Sequence, residues 1–252
     1  MFWHGARNPE VNVDIHSLET DVSIFSATVL GTPRIGPRRE LKFAIERYWR
    51  GESSEAELRA IVTELRAHTW AQLVDAGLDS IPTNVFSLYD QMLDTTMLVG
   101  ALPQCYRAAA ETDLDRYFAA ARGTAAVPPL EMTKWFDTNY HYLVPEFSVD
   151  THFTLHPEAG LEDLHAAQAA GIPARPVIIG PFTYLRLAKE ADRAAASSLG
   201  GALSRLNELL PVYEELLQLL AAEGVEWVQL DEPSAVTTLS PAELELLGKV
   251  YD

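Results

Sequence analysis

The chain of 252 residues contains a single cysteine, Cys105, so it can form no internal disulfide. A lone thiol fits a reducing compartment, and the cytoplasm is the expected location. Basic residues are scarce, with 19 Lys and Arg against 36 Asp and Glu for a formal net charge of −17. That balance disfavours nucleic acid and anionic membrane as main partners, because phosphate binding depends on clustered Lys and Arg that release counterions. Solubility is the simpler reading of the charge. No apolar run approaches the roughly 18 residues of a membrane span. The first residues, MFWHGARNPEVNVDIHSLETDV, lack the basic start and apolar core of a secretory signal and read as an extension over residues 1–25.

Metal-binding and nucleotide-binding signatures are missing too. The seven histidines and one cysteine show no C-x-x-C, H-x-C or H-E-x-x-H spacing, so no zinc site follows from this chain. His141, His152, His156 and His165 are close in sequence only, and surface or hydrogen-bonded roles suit them better than ligation. No fixed basic group stands beside Cys105 to stabilise a thiolate. There is no G-x-G-x-x-G, P-loop or G-x-S-x-G. No catalytic residue and no metal ligand is assigned.

What the chain does have is the composition of a folded globular protein, 48% hydrophobic and 22% charged. Ile24 to Leu30 is a short β-prone run, and Gly31-Thr32-Pro33 marks a turn. In RELKFAIERYWR, Leu41, Ile45, Tyr48 and Trp49 recur at helical spacing. Ser54 and Glu57 form an S-x-x-E capping box ahead of a stripe of Leu58, Ile61, Val62 and Leu65, in a helix that Gly77 ends. Further strands are predicted at Ser80–Val85, Thr133–Phe136, His141–Val144, Ala174–Ile179 and Glu226–Leu230. Helices are predicted at Leu88–Leu98, Asp113–Ala121 and Leu203–Ala222, the last kinked at Pro211, with a final one opened by Pro241. Strands that alternate with helices and are apolar on both faces indicate parallel pairing through right-handed crossovers, hence an α/β fold. About four or five βα units are visible, too few for a closed eight-stranded barrel.

Three constellations carry chemistry. In PRIGPRRELK, Arg34, Arg38, Arg39 and Lys42 fall within nine residues of an otherwise acidic chain. They lie where a strand hands over to a helix, and a helix start favours an anion. Arg adds bidentate recognition of carboxylate or phosphate, and Glu40 is placed to orient a neighbouring base. The competing reading is a solvated helix start with weak surface ion pairs. In EMTKWFDTNYHY, Lys134, Asp137, Asn139 and His141 are interleaved with Trp135, Phe136, Tyr140 and Tyr142. That mixture suits either a pocket wall for a flat, mixed-polarity ligand or a buried barrel segment. In WVQLDEP, Asp231 and Glu232 follow an apolar strand. At a barrel rim they can serve as base, cation ligand or amine binder, or can simply cap a helix or pair with Arg.

Taken in order and spacing, GTPRIGPRRELK, FSLYDQMLDT, YFAAARGT, EMTKWFDTNYHYLVPEF, RPVIIGP and EWVQLDEP resemble the N-terminal domain of the cobalamin-independent methionine synthase family. The resemblance runs from about Ala27 to Tyr251. It implies two (β/α)8 barrels in the whole enzyme, with the active site between them, and methyl transfer from 5-methyltetrahydropteroyltriglutamate to homocysteine to give methionine. The family's folate-binding R-E-L-K element matches Arg39, Glu40, Leu41 and Lys42, and the lysine of its M-T-K-W-F element matches Lys134. A similar D-E-P ends a strand of the other barrel, so Asp231 and Glu232 are not placed in the site.

The resemblance also implies what this chain lacks. The family's zinc, held by His, Cys and Glu ligands of the C-terminal barrel, binds homocysteine; nothing here matches those positions. The sequence is therefore expected to comprise an extension over residues 1–25 and a partial folate-binding barrel of TIM type over residues 26–252. It is expected to bind no cofactor, to engage homocysteine only alongside the C-terminal barrel, and to have no turnover alone. The alternatives are a non-catalytic folate-polyglutamate-binding module or partner subunit, and an enzyme with another site built on Asp231 and Glu232.

Overall fold

The computed structural model describes residues 2–4, 26–191 and 201–251. The rest of the extension, including the first part of the run predicted from Ile24, lies outside the described residues. In chain order the elements begin with β1 (Phe2–His4), α1 (Glu40–Trp49), α2 (Glu55–Asp75), β2 (Ile81–Thr83), α3 (Gln91–Leu98), α4 (Gln104–Arg107) and α5 (Asp113–Arg122). They continue with β3 (Met132–Lys134), β4 (His141–Leu143), β5 (Glu146–Phe147), α6 (Glu158–Ala169), β6 (Ala174–Ile179), α7 (Pro181–Arg186) and β7 (Lys189–Glu190). Last come α8 (Leu206–Ala222), β8 (Trp227–Asp231) and α9 (Pro241–Tyr251), with 3-10 turns at Gly201–Arg205 and Pro233–Val236.

The main sheet has the order β1-β8-β6-β2. Its centre is β6, where Ala174 to Ile179 offers β-branched residues to both faces, as expected of a strand covered on each side. On one flank β6 runs parallel to β2, with Ile81 opposite Ala174; on the other it runs parallel to β8, with Ile178 opposite Leu230. A parallel bridge between Thr28 and Ser80 extends the sheet beyond β2. Within this sheet the parallel segments lie in sequence order, β1 closes the free flank of β8 antiparallel with Phe2 opposite Gln229, and β5 pairs parallel with β7 as a separate two-stranded sheet. The fold is mixed α/β with parallel pairing, and no closed barrel is present among the described residues.

Two apolar cores flank the site. The larger joins β6, α7, α8 and β8 through residues such as Phe182, Tyr184, Leu206 and Leu209. The second joins α1, α2, α3 and α5 through Leu41, Leu58, Leu93 and Phe118, with Leu143 of β4 packed into it. Each such fully buried side chain stabilises the fold by roughly 1.5–3 kcal/mol.

Local signals account for most boundaries. Ser54 and Glu57 complete both halves of the capping box that starts α2. Gly77 then takes a left-handed φ of 79° just past its end. Pro181 opens α7 at a position that has no N–H to lose. Pro211 does not end α8, which stays helical from Leu206 to Ala222 because Val212, Tyr213, Leu216 and Leu220 bury one face beyond it. One expectation needs correction. The segments around Thr133 and His141 do not join the parallel sheet; β3 and β4 pair antiparallel as a separate hairpin, with Lys134 opposite His141. A six-residue connection is too short for a parallel crossover.

Candidate functional site

The basic segment enters α1 through a left-handed residue. Arg39 has φ 64° and precedes the helix without a side-chain cap. Strain of this kind costs on the order of 1–3 kcal/mol and is held only where surrounding contacts over-determine it. Here the Arg39 N–H is donated to Gly36 O at 3.0 Å and that of Leu41 to Ile35 O at 3.2 Å. Leu41 is fully buried and anchors the helix. Glu40 turns back on the helix start: its carboxylate accepts the Arg38 N–H at 2.9 Å and the Arg38 Nε at 3.0 Å. Its own backbone N–H, ahead of these bonds from Arg38, holds its pKa below the usual carboxylate range. The Glu40 carboxylate thus places an anion at this helix start. Lys42 pairs with Glu46 one turn on, leaving Arg39 as an exposed cation with no ion-pair partner among the described residues.

Arg34 plays a different part. Its guanidinium donates to Ser87 O at 3.1 Å and Tyr89 O at 2.7 Å, tying the segment to the loop before α3, and it faces the Tyr140 hydroxyl. Tyr140 closes the β3–β4 hairpin, where its carbonyl accepts the N–H of Trp135 at 2.8 Å. Lys134, beside Trp135, is exposed and has no ion-pair partner among the described residues. Trp135 stacks edge-on against Phe136 and Tyr142, which stiffens the hairpin.

Between these two segments sits Asp90, 1% exposed. Its Oδ2 accepts the N–H of Leu93, capping α3, and that of Leu143 in β4, each at 3.1 Å; its Oδ1 accepts the Tyr140 hydroxyl at 3.2 Å. Burial is the main cause that pushes the Asp90 pKa up to about 6, with the neighbouring Asp94 adding to it. Tyr117 of α5 completes the cluster, accepting the N–H groups of Tyr89 and Asp90 and donating to Asp94 Oδ1 at 2.7 Å.

Residues 26–252 match the family described as "Cobalamin-independent synthase, N-terminal domain". The chain belongs to this family. It is 59% identical over 228 residues to a 5-methyltetrahydropteroyltriglutamate–homocysteine methyltransferase of Mycobacterium tuberculosis, a match covering 90% of this chain and 29% of the relative. Proteins of the same description from Streptomyces coelicolor and Rhodococcus jostii are 56% and 54% identical, over 89% and 90% of this chain and 29% and 30% of theirs. The chain therefore spans less than a third of the length of these curated relatives, aligning with the N-terminal domain of the family.

For a cobalamin-independent synthase domain, the placement of the matched residues is uneven. Arg39 and Lys42 lie on the α1 entry, while Lys134 lies on the hairpin. Arg34, Asp90 and Tyr140 connect the two elements. A cleft of about 300 Å³ borders the basic segment along Pro33 to Pro37, and a larger one of about 440 Å³ lies at the C-terminal ends of the parallel strands. Neither cleft is lined by Arg39, Lys42 or Lys134. Of the three connecting residues, Arg34 and Tyr140 belong to constellations visible in the sequence, whereas Asp90 was not singled out there. Asp90 had a legible signal, an aspartate ahead of a helical run, and its reach to β4 and Tyr140 had none.

The remaining candidates make local contacts, with Asp231 and His156 also lining the larger cleft. Glu232 caps α7, and Asp231 accepts from Gln229 Nε2 at 2.7 Å. His141 contacts Asn139 O, His156 contacts Thr154, and His165 pairs with Glu223. Among the described residues there is no group of three or more His, Cys, Asp or Glu that could hold a metal ion. No helix among them is long and apolar enough to cross a membrane.

Proposed function

We propose that this chain supplies the folate-polyglutamate-binding surface of a methyltransferase that makes methionine from homocysteine and 5-methyltetrahydropteroyltriglutamate, as a partial (β/α)8 barrel over residues 26–252. The order of the parallel segments within the main sheet, from Thr28 through β2 and β6 to β8, supports the barrel reading. The observation that carries the binding reading is the joining of the Arg34–Lys42 segment to the Lys134 hairpin through Asp90 and Tyr140. In a chain of net charge −17, these cations offer a local complement to a string of carboxylates.

The residues divide the work. Arg39 and Lys134 are exposed and available to glutamyl carboxylates, Arg39 with a planar fork for bidentate contact. Lys42 reaches the same ligand by exchanging its surface partner Glu46, an exchange that costs little because exposed pairs contribute about 0–1 kcal/mol. Glu40 orients Arg38, and Leu41 fixes the helix. The zinc that supplies homocysteine activation in the family has no donor set among the described residues, so no step is assigned to it here. Homocysteine is engaged by the remainder of the enzyme, in the cytoplasm.

Incubating the chain with homocysteine, zinc and the methylated triglutamyl folate should yield no methionine, and a separately supplied C-terminal barrel should restore it. Turnover by the chain alone would contradict the reading. The alternative form of the reading is a non-catalytic folate-polyglutamate-binding module or a partner subunit of a separate catalytic barrel, and it shares the same basic segment and hairpin.

A further inference from the structure

We infer that Asp90 is a positioning residue that sets the Lys134 hairpin against the Arg34–Lys42 segment, so that cations from two distant parts of the chain face one ligand. The inference deepens the folate reading and rests on it for the identity of that ligand. One carboxylate makes three attachments: to the start of α3, to the β4 backbone at Leu143, and to Tyr140 at the closing end of the hairpin. Arg34 meets the same hydroxyl from the basic segment while its other bonds grip Ser87 and Tyr89, immediately before Asp90. Removing Asp90 therefore frees the closing end of the hairpin and the Leu143 N–H of β4 together, whereas the Leu143 side chain stays buried.

The surroundings of Asp90 make this attachment sensitive to pH. Facing it are Asp94 from α3, Tyr117 from α5, Tyr140 and Tyr142 from the hairpin, and Arg34 through Tyr140. Burial holds the proton on Asp90 up to about pH 6 in the closed arrangement. A hairpin that swings away returns the carboxylate to water and to its ordinary acidity, so ionisation favours the open arrangement. The closed arrangement is strongest below about pH 4, weakens as pH rises towards 6, and stays level above it.

Hydrogen exchange across residues 132–143, corrected for intrinsic rates, tests the positioning without any ligand. Protection in the wild type should fall by on the order of tenfold or more between pH 5 and pH 7. In Asp90→Asn that pH dependence should vanish. Tyr140→Phe, which removes the hydroxyl shared by Asp90 and Arg34 from a partly exposed ring, should lower protection of the hairpin tip at both pH values. Unchanged protection in both variants overturns the inference. Calorimetry with mono- and triglutamyl 5-methyltetrahydrofolate supplies the second arm. Loss of the triglutamyl preference by about tenfold in both variants supports the inference, and full retention beside a loosened hairpin overturns it. A wild type that binds neither form, with the hairpin still loosened by the variants, overturns the folate reading and with it the named ligand, while the tethering of the hairpin by Asp90 stands.

Discussion

Glu232 accepts the backbone N–H of Thr183 at 2.7 Å and that of Phe182 at 3.1 Å, so the second carboxylate of the D-E-P motif faces the start of α7. Tyr251 of α9 donates its hydroxyl to the same carboxylate at 2.9 Å. Glu232 thus fastens β8, α7 and α9 together, while Asp231 beside it lines the larger cleft.

Glu232→Ala should cost about 1–3 kcal/mol, because two helix-start N–H groups and a hydroxyl lose a buried acceptor. Urea denaturation measures it. Affinity for triglutamyl folate should be unchanged, whereas a Glu232 with a direct chemical role would lower binding or turnover at unaltered stability.

Asp163 pairs with Arg66 between α6 and α2, with side chains 5% and 14% exposed, and its other oxygen accepts the Asn84 N–H at 2.7 Å. Asp163→Ala leaves a buried guanidinium and a backbone donor without their partner. The expected loss is about 3–5 kcal/mol, larger than for a surface pair. A loss below about 1 kcal/mol in a denaturation midpoint would mean that water replaces the carboxylate freely.

The buried Asp90 sets a sign for the dependence of stability on pH. Its folded pKa of about 6 lies above the ordinary 3.8, so between these values the native state holds a proton that the unfolded chain has released. Its contribution is most favourable below about pH 4 and declines by about 3 kcal/mol as pH rises past 6, then stays level. Asp94, Asp231 and Glu232 are displaced in the same direction by burial, so the wild-type curve alone does not isolate Asp90. The difference between wild type and Asp90→Asn, from denaturation at pH 4 to 7.5, should fall across that window; a flat difference would contradict the buried anion.

How much of this was legible in the sequence depends on the range of the contact. The capping box at Ser54, the stop at Gly77 and the strand Ala174–Ile179 are local patterns, and each appears where the sequence puts it. The hairpin was legible as two strands but not as an antiparallel pair, because periodicity gives no partner. For the site, cation spacing shows where Arg39 and Lys42 stand. It does not show that Glu40 occupies the helix start, or that Lys42 leans on Glu46. The link from Arg34 through Tyr140 to Asp90 joins residues 50 or more positions apart, and only folding brings them together.

The most direct test of the account is the ratio of affinities for triglutamyl and monoglutamyl 5-methyltetrahydrofolate in the wild type, Arg39→Ala, Lys42→Ala and Lys134→Ala, measured by calorimetry at two salt concentrations. The account predicts a wild-type preference for the triglutamyl form that weakens with salt and drops by roughly twofold to fivefold in each variant, as expected of exposed charge contacts of about 0.5–1 kcal/mol. A ratio of one in the wild type, or a preference untouched by all three substitutions, would contradict it.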